Sequence, residues 1–237
     1  MTNKIKTKTF SKKTLDFLMK AGKQKSPDWL DKNMDEYEQV LRKPFIELAE
    51  KVKAALQPVA PGYHFPSKGL ARIKRPAFKV TGGQSQYKDW ISMIPTTPSK
   101  SRFESNPHLF FGIFPNEKDS ILIAGGLWQP SSQQTRLIRE AINKNAEPFH
   151  ELFADKNFKS RFKNGFYMNE IATKVPRGFS EQHTDVAWLK LKKFVVYKKV
   201  SVKDFSSTKF SEFVIEDFKQ ALRLNQLIEK ALKMDWN

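Results

Sequence analysis

The sequence predicts an α+β fold: an antiparallel or mixed sheet of about five or six strands packed by helices, with helical segments at both ends. Three observations carry this expectation. Apolar residues recur at steps of three and four near both termini, over 30–56 and 211–233. Between them lie short runs of strand composition bounded by Gly, Pro, Asn and Ser. No strand-helix-strand alternation and no internal repeat is present, which argues against a parallel sheet. With 237 residues, 39% of them hydrophobic and 20 of them Phe, the chain has enough apolar mass for a phenylalanine-rich core. The expected organisation is a basic flexible tail over 1–10 and a single α+β domain over 11–237.

Taken in order, Ser11 is a candidate N-cap for a helix that turns Leu15, Leu18 and Met19 inward and stops at Gly22. Ser26-Pro27-Asp28 then supplies a cap, a first-turn proline and an acid. From there Leu30, Met34, Tyr37, Leu41, Phe45, Leu48, Val52 and Leu56 form one stripe, which Pro44 must kink or divide. Pro58 to Gly69 reads as a loop. Strands are expected at Ala71–Phe78, Trp90–Pro95, Leu109–Phe114 and Ile121–Leu127, the last two forming a hairpin through 115–119. A helix capped by Ser131 or Ser132 follows, burying Leu137 or Ile138, Ala141 and Ile142. A short helical piece near Asp155–Phe162, strands near Met168–Val175 and Phe194–Val200, and a long helix over Ser211–Lys233 complete the order.

The chain has no cysteine, which excludes disulfides, thiolate catalysis, zinc-cysteine sites and iron-sulfur clusters. The first ten residues are basic and lack an apolar h-region, so no secretory signal is expected. The runs Leu109–Phe114 and Ile121–Trp128 are too short to span a bilayer, so a cytoplasmic location without membrane contact is expected. The formal net charge is +17, a field that attracts phosphate and other anions. It comes from 33 Lys and nine Arg, and phosphate forks lean on Arg, so a solvated lysine surface is the plainer account. Local excesses run from Lys4 to Lys25 and from Lys190 to Lys203.

Several fragments in a fixed order resemble one family. Phe17-Leu18, Trp29-Leu30 and Tyr37 open it, followed by Arg72-Ile73-Lys74-Arg75 and Tyr87-Lys88. Gly125-Gly126-Leu127-Trp128-Gln129-Pro130 with Ile138-Arg139 comes next. Pro176-Arg177-Gly178-Phe179, His183, Asp185 and Leu189-Lys190 close the series. The chain is similar, nearly end to end, to the domain-of-unknown-function family 2461, conserved hypothetical bacterial proteins with fungal relatives. It departs after Arg75, where the family pattern of Asp, any residue, Arg and Phe is replaced by Pro76-Ala77-Phe78-Lys79. The resemblance implies a fold and assigns no reaction.

Candidate site residues each have two readings. Gly125 and Gly126 with Trp128 form a strand-to-helix corner; it either cradles an anion at a helix N-terminus, helped by Arg136 and Arg139, or is a bulge and close packing contact. Packing leads, because no Gly-Lys-Ser/Thr loop is present. Arg72 and Lys74 share one strand face and, with Tyr87 and Lys88, form either an anion-binding floor or a wet edge. His183 beside Arg177 is the one candidate proton-transfer group, unless it or Asp185 caps the helix that starts near Val186. His64, His108 and His150 have no metal-ligand spacing, so neither metal nor cofactor is expected. Five Trp residues are expected in core or rim, and only an exposed aromatic beside Lys or Arg favours a stacking surface for single strands.

The leading expectation is a small anionic ligand, bearing phosphate or carboxylate, in a basic pocket formed by Arg72, Lys74, Arg139, Arg177 and His183. A nucleic-acid-binding module acting through the lysine-rich surface is the alternative, and a protein-interaction domain without ligand chemistry is the third. Whether the pocket does chemistry stays open, as does the oligomeric state.

Overall fold

A computed structural model describes residues 10–99, 104–116, 121–233 and 236. Most of the basic tail and the last three residues of the expected hairpin turn lie outside that set. The described residues build a four-stranded antiparallel sheet in the order β1-β2-β3-β4, from β1 (Ile91–Met93), β2 (His108–Ile113), β3 (Ile121–Leu127) and β4 (Phe194–Lys199). The sheet is therefore smaller than the five or six strands expected, and it is wholly antiparallel.

Helix α1 (Lys12–Ala21) starts at a capping box in which Ser11 and Thr14 serve each other, and it buries Leu15, Phe17, Leu18 and Ala21. The stripe from Leu30 to Leu56 forms α2 (Trp29–Lys32), α3 (Met34–Tyr37), a π-helical turn (Glu38–Arg42) and α4 (Lys43–Leu56). The interruption follows from Pro44, whose missing N–H cannot bond to the carbonyl of Val40. The Thr14 hydroxyl donates to that carbonyl instead, at 2.7 Å, so a side chain of α1 repairs the defect. Thr14 is fully buried. Met34, expected inward, is exposed.

Two expected strands are absent as ladders. Over 71–78 the alternation is real, since Ala71 and Ile73 are buried while Arg72 and Lys74 are exposed. Only one bridge forms, between Lys74 and Tyr87. Ala71 sits at φ +57, and Pro76 leads directly into a 3-10 turn at Ala77–Lys79, so the chain bends before a ladder can extend. Over 168–175 the chain runs beside β4 through the bridges Phe166 to Val196 and Ile171 to Leu191. Met168 and Ile171 stay exposed, leaving too little inward anchoring for a continuous ladder.

Helices α5 (Ser132–Lys144), α6 (Glu147–Ala154), α7 (Lys156–Arg161), α8 (Val186–Leu189), α9 (Val202–Phe205) and α10 (Phe210–Leu232) complete the chain. Sequence periodicity missed α6, whose buried positions are only Phe149 and Leu152. None of the described helices is long and apolar enough to cross a membrane. One core cluster runs from Phe10 to Trp236 and is rich in ring contacts, such as Phe10 stacked on Phe205 at 4.8 Å.

Helix α10 packs across the sheet against β3 and also meets α4, α5, α6 and α7. Under it lie Phe111, Ile113, Ile121, Ile123, Phe194 and Val196, all buried. Asp217 on α10 is fully buried, and its carboxylate accepts from Lys198 of β4 at 2.7 Å and from Arg161 of α7 at 3.2 Å. Burial pushes its carboxyl up, and the two cations oppose that shift.

The approach of α10 to β3 depends on the glycine pair. A Cβ at Gly125 would lie 2.5 Å from the Cβ of Ala221, and one at Gly126 would collide with the Phe194 carbonyl of the neighbouring strand. Gly126 also holds φ +124, a conformation only glycine adopts without strain. Gly125→Ala is therefore expected to lower stability by about 1–3 kcal/mol. Ala221→Gly in the same chain should return part of the loss, and urea unfolding of the two single variants and the double variant measures the coupling. Strictly additive losses would show that the two positions do not meet.

Candidate ligand-binding cleft

Side chains alternate across a strand, so the residues between those under α10 project from the opposite face. That face carries Ser92 on β1, Phe110 and Gly112 on β2, Leu122 and Ala124 on β3, and Val195 and Tyr197 on β4. No described helix covers it as α10 covers the other, and a cleft of about 980 Å³ lies there. Its floor is apolar, from Phe110, Phe114, Leu122, Ala124 and Val195.

The shape of the floor follows from small residues. In register, Phe110 pairs with Ala124 and Ala124 with Tyr197, so a methyl group sits between two aromatic side chains. With about 4.8 Å between neighbouring strands, the two aromatic positions stand about 9.6 Å apart across this low point. Gly112 shapes the second half: a Cβ there would lie 2.7 Å from the Phe110 ring and would also strike Phe114. Its absence lets Phe110 and Phe114 lie over the strand as a nearly parallel pair, 6.1 Å apart at 12°.

The rim is polar and tied down. His64 and Thr96 exchange backbone hydrogen bonds at 2.7 and 3.2 Å, and Thr96 bridges in turn to His108. Asn106 donates to the carbonyls of Thr97 and Pro98. Gln134, the capping-box residue of α5, donates to the Ser105 carbonyl at 2.7 Å. Glu104 is the one carboxylate among the described lining residues. His108 Nδ1 stands 3.1 Å from the Asn106 carbonyl, which can only accept, so Nδ1 carries the proton and Nε2 is left as an acceptor. Burial lowers the pKa of this imidazole and so disfavours its charged form, while the bond to the Asn106 carbonyl opposes that shift.

At one end of the cleft Trp128, 39% exposed, lies 5.7 Å from Tyr167, and Lys193 Nζ sits 3.6 Å from its ring centroid. Lys193 also pairs with Glu170 at 2.6 Å, which offsets much of its charge. Beyond the other end Trp90 stacks with Phe114 at 6.0 Å, and Lys88 Nζ lies 4.8 Å over Trp90. Lys88 belongs to a cationic group. Burial lowers its pKa first, and Arg75, Arg72 and Lys79 lower it further by repulsion.

Of the residues singled out in the sequence, Gly125 and Trp128 line the cleft. Gly126 lies beside them, with the packing role described above. Arg72, Lys74, Tyr87 and Lys88 come together in a second group, where the Lys88 N–H donates to the Ile73 carbonyl at 2.8 Å and Lys74 Nζ to the Pro27 carbonyl at 3.0 Å. Tyr87 is fully buried, its hydroxyl bonded to Pro27 and to the Leu30 N–H, so it organises the start of α2.

The others do not line the cleft. Arg139 donates to the Leu191 carbonyl at 2.8 Å while its Nε is buried without a partner, and burial lowers its pKa. Arg136 pairs with Glu140 on the surface of α5, and Arg177 is exposed. His183 Nδ1 accepts the Asp185 N–H at 2.9 Å just before α8, and the Asp185 carboxylate meets His150 Nε2 at 2.8 Å. The N-terminus of α5 is served by its own capping box of Ser131 and Gln134. Among the described residues no group of three acidic or His side chains is placed to hold a metal ion.

Sequence reasoning passed over Phe110, Phe114, Leu122 and Tyr197 as site residues, and weighed His108 only as a metal ligand. The usable signal was apolar residues at both parities of the strands, with only one face needed for the core. A family model described as conserved hypothetical protein (DUF2461) matches residues 13–227. No curated protein and no solved structure matches the chain.

The lowered pKa of His108 has a signed consequence. Its stabilising contribution is present above about pH 6.5, the unfolded value, and is lost as pH falls through the lower folded value. Urea unfolding should therefore show the unaltered protein losing more stability between about pH 7.5 and 5 than the His108→Gln variant does. Parallel losses in the two proteins would contradict this assignment.

Proposed function

Because the chain belongs to the DUF2461 family of conserved hypothetical proteins, we propose that it is a binding module whose site is the open face of its sheet. The ligand class is a molecule with a flat, largely apolar body and an anionic group. The single observation that carries this reading is the aromatic cleft on the sheet face opposite α10. Pockets for small molecules span roughly 300–1,000 Å³ and are mostly apolar with a few placed polar groups. Here the low point at Ala124 receives the flat body between Phe110 and Tyr197, while His108 Nε2 and the rim amides supply orientation.

The anionic part of the reading rests on the second group. Arg72, Arg75, Lys79 and Lys88 lie close enough for their charges to repel, and Lys88 lies over Trp90, which stacks on Phe114 of the cleft floor. An anion held there would relieve that repulsion, whereas the cleft lining itself offers no Lys or Arg among the described residues. Basic and apolar halves are thus adjacent but separate. A ligand that uses both must be amphiphilic.

Titration with anilinonaphthalene sulfonate, a flat aromatic anion, tests the reading by fluorescence. Ala124→Trp fills the low point and should weaken binding about tenfold or more, the loss of a favourable apolar contact of about 1.4 kcal/mol or above. Val59→Ser, at a side chain 57% exposed and outside the cleft lining, should leave binding unchanged. Thermal unfolding of each variant checks that the fold persists. Equal affinity of the folded Ala124→Trp protein and the unaltered one would refute the assignment of the cleft.

A further inference from the structure

The aromatic side chains of the open face do not stop at the cleft. From the β1 edge inward, Trp90 stacks on Phe114 at 23° and Phe114 on Phe110 at 12°. Across Ala124 the row resumes with Tyr197, which meets Tyr167 at 5.6 Å, and Tyr167 meets Trp128. A single flat ligand needs one such slot. A row that crosses the sheet presents several partly exposed rings in succession, two of them overlain by lysines, and that repetition has to be matched by the occupant.

Charge accompanies the row. Lys88 lies over Trp90 at its start and Lys193 over Trp128 at its end. The Arg72, Arg75 and Lys79 group flanks the β1 end, and the chain as a whole carries a net charge of +17. Among the described residues three carboxylates oppose this: Glu104 on the rim, Glu170, which is paired with Lys193, and Asp89 between Lys88 and Trp90, whose Oδ2 accepts from Asn116. The attraction for an anion is therefore strongest at the β1 end and weakest at the Trp128 end.

We infer that the occupant of the open face is a single-stranded nucleic acid, its bases stacked along the row from Trp90 to Trp128 and its phosphates held by the flanking lysines and arginines. The inference rests on the binding reading above and names the partner class of the same site. A polymer of alternating flat rings and charges is the chemistry that fits a repeated aromatic row with cations beside it. Four-stranded sheets can seat about two or three bases in this manner, and stacking tolerates any base because each presents a flat face. A duplex hides those faces and is expected to bind more weakly.

The test uses fluorescein-labelled oligothymidylate and oligouridylate of about twelve nucleotides, followed by anisotropy across a salt series from low salt to about 200 mM. Binding should weaken linearly in log salt, with a slope of about −2 to −3 if about three or four phosphates are engaged. Trp128→Ala should weaken binding about fivefold or more, and Lys88→Gln should lower the slope by about 0.7. An unlabelled duplex should compete poorly.

Absence of binding at low salt while the aromatic dye still binds and Ala124→Trp blocks it would overturn this inference and leave the binding reading intact. Oligonucleotide affinity untouched by Ala124→Trp and Trp128→Ala would also overturn it, placing the contact on the general lysine surface. Loss of both oligonucleotide and dye binding in the Ala124→Trp protein, with its thermal unfolding unchanged, is the result expected.

Discussion

Helix α10 lies so close to β3 that the Cβ of Ala221 occupies the space a side chain at Gly125 would need, and the rest of the architecture is arranged around that contact. Close approach lets one long helix cover β3 and part of β2 on the inner face, while Phe45 of α4 stacks on Phe111 beside it. Lys198 reaching Asp217 from β4 fixes the helix at a second point, where removal of a partner would strand a buried charge. The other described helices then gather around α10 and beside the sheet, and α1 joins α4 through the hydroxyl that satisfies Val40.

One consequence is asymmetry between the two faces. Apolar residues under α10 are buried, whereas on the opposite face Phe110, Phe114, Leu122, Ala124 and Tyr197 remain half-buried and surround a cleft. Small residues in the strands serve both faces: Gly125 admits the helix on one side, while Gly112 and Ala124 shape the floor on the other. Asn106 and Gln134 at the rim already have backbone partners, so this part of the rim is held in place before any ligand arrives. The cations sit outside the cleft lining, Arg72, Arg75, Lys79 and Lys88 at the β1 edge and Lys193 at the Trp128 end.

Much of the fold was legible because periodicity reports burial. Strand β3 coincides with the apolar run at 121–127, and the bounds of α1 and α10 fall within a residue of those expected. Where burial alternated without a partner strand, as at Ala71 and Ile73, the pattern was read correctly and the ladder wrongly inferred, since pairing depends on what lies alongside. The site was less legible. Charged residues drew attention to Arg139 and His183, yet their atoms are engaged with the Leu191 carbonyl and the Asp185 N–H. The cleft is built from Phe, Leu, Ala and Tyr that read as ordinary strand residues, and only topology reveals which of their faces lacks a helix.

The central claim is that this uncovered face is where the protein meets its ligand, and mapping a bound probe residue by residue addresses it most directly. Backbone amide chemical shifts of isotope-labelled protein should be followed during titration with naphthalene sulfonate. The account predicts that the largest changes fall on Phe110, Gly112, Leu122, Ala124 and Tyr197, with smaller ones near Lys88 and Trp128. Changes confined to the outer surface of α10 or to the lysine-rich loops, with the sheet unaffected, would contradict it.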